Sequence, residues 1–365
     1  MARLTTLVGV ATLLLSQTAT AKYSLFKTYD ATNFFTEFEI QNITDPSSGF
    51  VDYVDAATAK ALSLAGIRNN NQIYLGADST TRNPTAGRQS VRVESTDAYS
   101  KGLFIADIAH MPANSCGVWP AYWTSGPDWP NSGEIDIIEA INLQKTPIIT
   151  LHSGKDCVVA NTGSAAGSVL TDANCNSGCS QSTTDTQAYG DGFNAVKGGV
   201  YATRLTTSGI AIWFFPRASI PADITAGTPD PTTWGVPLVN FVDEGGCDFA
   251  SHFKSNRFIF NINFCGWAGS TWSSYPQCSA AAATCKEYVA QNPEAFKDAY
   301  WLINSLKVYS ESQDIDRSST DDVAPTWHQP GTELSPNNSP NYVSADLRFY
   351  SPYCAEKLST DLAPT

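Results

Sequence analysis

The sequence predicts an all-β domain, a sandwich of packed antiparallel sheets. Three observations carry that expectation. Short segments of alternating apolar and polar residues recur along the chain, clusters of Gly, Pro, Ser and Asn separate them, and helical signals are few. The 365 residues are 42% hydrophobic, enough for a sizeable core, so the chain as a whole is not disordered. No internal repeat is present.

Taken in chain order, the first element is a targeting segment. Arg3 supplies a positive start, Leu4 to Leu15 is mostly apolar, and Ala19-Thr20-Ala21 offers small residues for cleavage. Residues 1–21 therefore read as a secretory signal peptide, too short for a membrane anchor. A helical signal covers Asp55 to Leu64. Val91 and Val93 then alternate with Arg92 and Glu94. Ile210, Ile212 and Phe214 oppose Ala211, Trp213 and Phe215, and Phe258, Phe260 and Ile262 oppose Ile259, Asn261 and Asn263. A second helix is expected over Glu294 to Tyr300, behind an Asn292-Pro293 start. Last, Leu302, Asn304, Leu306 and Val308 alternate with Ile303, Ser305, Lys307 and Tyr309. Beyond that, Ser, Asp, Pro and Asn dominate without periodicity. The organisation expected is one domain over residues 22–310 and a C-terminal extension over 311–365.

Charge narrows the function. With 22 basic and 35 acidic residues the net charge is −13, and no basic patch offsets it. Such a surface repels phosphate backbones, so no nucleic-acid partner is expected. No other stretch has the length of a spanning helix, and the C-terminus lacks a lipid-anchor tail. A soluble, secreted, extracellular protein with no membrane partner is expected, as a monomer. Nine cysteines, all beyond the signal peptide, read as disulfides in an oxidising compartment, with an odd one left over. Their spacing and the presence of only four His argue against zinc. Asn42-Ile43-Thr44 is a glycosylation acceptor signal.

The segment Gly133 to Asn142 reads G-E-I-D-I-I-E-A-I-N. Glu134 and Asp136 share one face of a strand, while Glu139 would fall on the other. A one-residue bulge around Ile137 and Ile138 restores its phase. Three carboxylates then line a strand whose other face is apolar. Like charges so close destabilise an ordinary strand unless protons are shared or a cation is bound. A solvated acidic face is the plain alternative; calcium needs more oxygen ligands than these three. Glycoside hydrolysis needs one ionised and one protonated carboxyl, and a third acid separates their pKa values. Upstream, Gly117-Val118-Trp119-Pro120-Ala121-Tyr122-Trp123 and Trp129 set large rings nearby, suited to sugar faces or to a core.

The run G-V-W-P-A-Y-W followed by W-P-N-S-G-E-I-D-I-I-E resembles the signature of glycoside hydrolase family 16, in its fungal-type endo-1,3(4)-β-glucanase, laminarinase-like branch. The likeness extends over about residues 23 to 310, through Gly49 to Val54, Leu151-His152, Cys247 to Phe249, Cys265 to Gly269 and Tyr300 to Ser305. It implies a β-jelly-roll sandwich of the concanavalin A-like type, with a concave substrate cleft. It implies a retaining, double-displacement mechanism on β-1,3- or mixed β-1,3-1,4-glucan, without metal or other cofactor. By motif position Glu134 is the nucleophile, Glu139 the general acid/base and Asp136 the residue that tunes them. Arg92, Tyr122, Trp129, His152 and Trp267 are the residues expected to bind substrate. One departure is a residue that many relatives carry between Gly266 and Trp267 and this chain lacks. A wall-remodelling transglycosylase shares the same intermediate, and a non-catalytic β-glucan-binding lectin shares the fold. A Ser-His-Asp hydrolase is disfavoured because no G-x-S-x-G occurs.

Overall fold

The computed structural model describes residues 23–311 apart from 69, 70, 177 and 245. The signal peptide, residues 312–365 of the C-terminal extension and with them Cys354 lie outside the described residues; Glu311, the first residue of that extension, ends the last strand. The strands, in chain order, begin with β1 (Tyr23–Tyr29), β2 (Phe38–Ile40), β3 (Val51–Tyr53), β4 (Ala65–Arg68), β5 (Gln72–Gly76) and β6 (Arg88–Ser90). They continue with β7 (Arg92–Ser95), β8 (Gly102–His110), β9 (Val118–Ser125), β10 (Glu134–Glu139), β11 (Ile148–His152) and β12 (Val169–Leu170). The last are β13 (Cys179–Ser182), β14 (Gly199–Thr206), β15 (Gly209–Pro216), β16 (Val239–Val242), β17 (Arg257–Phe264) and β18 (Tyr300–Glu311).

Two antiparallel eight-stranded sheets form the sandwich. One runs β12-β13-β11-β10-β9-β17-β7-β2 and carries the site. The other runs β16-β15-β14-β8-β18-β5-β4, with β1 also paired to β18. Alternation decides what enters the core between them. Phe258, Phe260, Ile262 and Phe264 of β17 pack inward against Phe104, Ala106 and Ile108 of β8 and Trp301 of β18. Each ring removed from water stabilises the fold by roughly 2 kcal/mol, which outweighs the weak backbone preference of any single strand. The far face of the second sheet buries a smaller cluster around Ile105, Val200 and Trp213, with Ile224 among them and Trp234 packed against it.

Four disulfides join Cys116–Cys278, Cys157–Cys247, Cys175–Cys179 and Cys265–Cys285. Two of them fasten the helices Pro276–Ala281 and Cys285–Gln291, which the sequence pattern did not suggest, to the site-bearing side of the molecule. The helix expected at Asp55–Leu64 spans Ala56–Ala61, with Asp55 as its N-cap accepting from the Thr58 amide at 2.7 Å.

Two expectations need correction. The helix over Glu294 to Tyr300 is only a 3₁₀ turn, Pro293–Phe296, because β18 begins at Tyr300 and draws Trp301 and Ile303 into the core. Within β18 the inward residues are Trp301 and Ile303, then Leu306 and Val308. The pairing with β8 slips at Ile303–Ser305, so the simple alternation with Ile303 opposite Leu306 does not hold.

Candidate active site

The site is laid on β10. Its residues Ile135, Ile137 and Ile138 are all fully buried in the core. Burial of two adjacent isoleucines requires an irregularity, and the register of β10 against β9 shifts between Asp136 and Ile138. The bulge returns Glu139 to the face of Glu134 and Asp136, and all three carboxylates line one cleft. Neighbouring strands complete the floor by register. On β11, His152 lies opposite Glu134 and Thr150 opposite Asp136. On β9, Trp123 is opposite Asp136 and Ala121 opposite Glu139.

Three indoles and two side-chain amides, those of Asn261 and Asn263, line the site. Trp119 donates its Nε1–H to Glu139 Oε1 at 2.7 Å. Trp123 donates to Asn261 Oδ1 at 2.8 Å, and Asn261 donates to the Tyr53 hydroxyl at 3.0 Å. The Arg92 guanidinium sits 4.9 Å from the centre of the Trp123 ring. Trp129 lines the cleft, with its ring 6.4 Å from that of His152. Asp45, Ser47 and Asn263 close one end, where Asp45 Oδ2 accepts from Ser47, Asn263 and the Gly49 amide.

Electrostatics are set by burial of an excess of acid. Burial, then Asp136, pushes the Glu134 carboxyl up to about 7, against the pull of His152, Trp129 and Arg92. Glu139 is driven well above the usual carboxylate range by burial and by Asp136, with the Trp119 bond opposing. His152 is desolvated, which alone would lower its pKa. The carboxylates win: its Nε2 is 3.5 Å from Asp136 and 3.7 Å from Glu134, and its pKa rises to about 9. Glu134, Asp136 and His152 also stand close enough to hold a cation. A proton on His152 competes with that use at neutral pH, since only neutral imidazole ligates.

Of the residues expected to bind substrate, Arg92 and Trp129 line the cleft and His152 stands beside the carboxylates. Tyr122 does not reach it. Alternation on β9 sends Tyr122 into the core, where it is 1% exposed and stacked on Phe260 at 4.4 Å, while Trp119 and Trp123 take the cleft face. Trp267 opens the short helix Trp267–Ser270 and meets the cleft wall through Trp119, edge to face at 5.9 Å. Trp119, Trp123, Tyr53, Asn261 and Asn263 were not singled out as binding residues. The shared parity of Trp119 and Trp123, and the alternation of Asn261 and Asn263 with phenylalanines, were the signals available.

Comparison with known proteins places this geometry. An XgeA-like catalytic domain of glycoside hydrolase family 16 matches residues 38–309. An endo-1,3(4)-beta-glucanase of Arthroderma benhamiae is 43% identical over 81% of this chain and 67% of its own length. A probable endo-1,3(4)-beta-glucanase of Aspergillus clavatus is 41% identical over 88% of this chain and 50% of its own. The chain thus spans about half to two thirds of the length of such relatives. Among solved structures, Laminarinase 16A of Phanerochaete chrysosporium, with β-glucans in donor and acceptor sites, is 39% identical with a TM-score of 0.73 over 79% of this chain and 99% of its own. An elongating family 16 beta-1,3-glucosyltransferase is similar to the same degree, at 39% identity and a TM-score of 0.74 over 79% of this chain and all of its own. The bulged carboxylate strand, the two-sheet frame and these matches agree, and the chain belongs to glycoside hydrolase family 16.

Proposed function

We propose that the protein is a secreted, retaining endo-β-glucanase that cuts β-1,3- or mixed β-1,3-1,4-glucan by double displacement. The observation that carries the reading is geometric: the bulge in β10 brings Glu134, Asp136 and Glu139 to one cleft, and Trp119 holds Glu139. Burial and Asp136 raise the carboxyls of both glutamates above the ordinary carboxylate range. One ionised and one protonated carboxyl can therefore coexist near neutral pH. Ionised Glu134 attacks the anomeric carbon as Glu139 delivers its proton to the departing glycosidic oxygen. Glu139, now ionised, then takes a proton from water, and the hydroxide displaces Glu134 with net retention. Asp136 and protonated His152 hold the charge balance around Glu134. Arg92 and Trp129 bind the sugar, and no metal enters a step. The catalytic domain is assigned to residues 22–310, acting as a monomer. No helix among the described residues is long and apolar enough to cross a membrane.

Laminarin, lichenan, cereal mixed-linkage glucan, xyloglucan and agarose, offered without added metal, test the reading. Internal cleavage of laminarin to short oligosaccharides is expected, with the β-anomer released first. Binding without shortening would favour a lectin; first release of the α-anomer would exclude Glu134 as nucleophile. A second reading, transglycosylation, is favoured by the resemblance to the elongating glucosyltransferase. Products longer than the starting oligosaccharide, formed at high acceptor concentration, would establish it.

A further inference from the structure

Trp119 makes a contact that sugar stacking does not explain. Its indole nitrogen carries one hydrogen and accepts nothing, and that hydrogen is committed to Glu139 Oε1 at 2.7 Å. In a protonated carboxyl the carbonyl oxygen is the stronger acceptor, so an indole bond fixed on Oε1 favours Oε1 as the carbonyl and the proton on Oε2. We propose that Trp119 is a positioning residue for Glu139, holding Oε1 so that the proton to be transferred resides on Oε2. This rests on the assignment of Glu139 as the acid/base.

The ring itself is held from outside the carboxylate row. Gly266 has φ +51°, and a Cβ there would stand 2.8 Å from Trp119 Cζ3. Trp267 packs edge-on at 5.9 Å. During glycosylation the proton leaves Glu139 Oε2 for the glycosidic oxygen as that oxygen's bond to the anomeric carbon breaks and the Glu134 bond forms. The electron pair left on Glu139 spreads over both oxygens, and the indole bond to Oε1 strengthens. After water returns a proton to Oε2, the starting arrangement is restored. The charged or titratable groups acting on Glu139 are Asp136 and Glu134 on its own strand, His152 on β11 and Tyr189 before the helix Gly190–Ala195. The indole is a neutral donor among them.

Trp119→Phe removes the donor and keeps an aromatic ring, and two substrates read the result. On laminarin, kcat/KM should fall about tenfold, with the loss in kcat rather than KM. The high-pH limb should move up by about one unit, because ionised Glu139 has lost a partner. On 2,4-dinitrophenyl β-laminaribioside, whose leaving group needs no proton, kcat/KM should change less than about twofold. Equal loss on both substrates, or an unmoved limb, overturns the proposal and leaves Trp119 a sugar platform. Glu139→Gln is the control: it should spare the dinitrophenyl substrate and lose laminarin. If it spares neither or both, the acid/base assignment fails instead. Should Trp119→Phe not fold, the wild-type protein still decides. One indole ¹⁵N–¹H resonance should titrate with the high-pH limb and cease to do so in Glu139→Gln. Its absence overturns the proposal.

Discussion

Two buried charged clusters differ in how completely they are paired. Arg88 is fully buried, and its guanidinium makes five hydrogen bonds: to Asp78 Oδ2 at 2.7 Å, and to the carbonyls of Asp78, Thr81 and, twice, Val289. Asp78 in turn accepts from Thr80 and Thr81. Charge and donors match, and the cluster ties the β5–β6 connection to the helix Cys285–Gln291. The β10 row holds three carboxylates against His152 and Arg92, with Arg92 Nε buried and without a hydrogen-bond partner among the described residues. A saturated cluster stabilises a fold. An under-compensated one keeps protons mobile and donors available to a ligand.

The largest effect should come from removing acid chemistry. Glu134→Gln or Glu139→Gln should slow laminarin cleavage on the order of 10³-fold or more, at least about 4 kcal/mol in barrier, with unchanged circular dichroism. A reducing-end assay showing less than a tenfold loss would dissolve the contrast. Breaking the saturated cluster should do the opposite. Arg88→Met strands Asp78 and should cost about 3–5 kcal/mol in denaturant unfolding, while the folded fraction keeps its rate within about twofold.

Proton linkage sharpens the comparison. The folded-state pKa of Glu134 is raised to about 7, so the fold holds that proton more tightly than the unfolded chain does. Its contribution to stability is present below the ordinary carboxylate range and lost as pH rises through 7. His152, raised to about 9, contributes below its ordinary value and loses that contribution as pH passes 9. Unfolding free energy should therefore decline from pH 5 to 9. Glu134→Gln should be more stable than wild type by about 1–3 kcal/mol above pH 7, with the difference vanishing near pH 4. The low-pH limb of kcat/KM should lie near 7, where Glu134 ionises. A limb at pH 4 to 5 would show that Glu134 is not desolvated in the free enzyme.

The smallest effect separates two rings seven residues apart on the same flank, Trp129 and Tyr122. Trp129→Ala should raise KM for laminarin about tenfold, since the ring lines the cleft. Tyr122→Phe should leave kinetics unchanged and alter stability by less than about 1 kcal/mol. Its buried hydroxyl has no partner among the described residues, so nothing is lost with it. A KM increase in Tyr122→Phe would return that residue to the cleft.

Much of the molecule was legible before any tertiary contact was known, because period and local chemistry are properties of the chain. The two-residue alternation of β17, the Asp55 cap and the spacing of Glu134, Asp136 and Glu139 are all local. The bulge, too, could be inferred, since only an extra residue places two isoleucines inside and Glu139 outside. Alternation alone could not say which of its two faces met the cleft on β9, so Tyr122 and Trp119 were exchanged in importance. It could not foresee the slip in β18, which follows from packing against β8. Nor could it pair eight cysteines, since that depends on which distant segments the two sheets bring together. The raised carboxyls of Glu134 and Glu139 were the work of burial, and so was the indole bond that reaches Glu139 from a strand twenty residues away in sequence. Sequence determined which chemical groups stand on one face of one strand; desolvation and neighbours across the sheet, which only tertiary structure supplies, raised the carboxyls of Glu134 and Glu139.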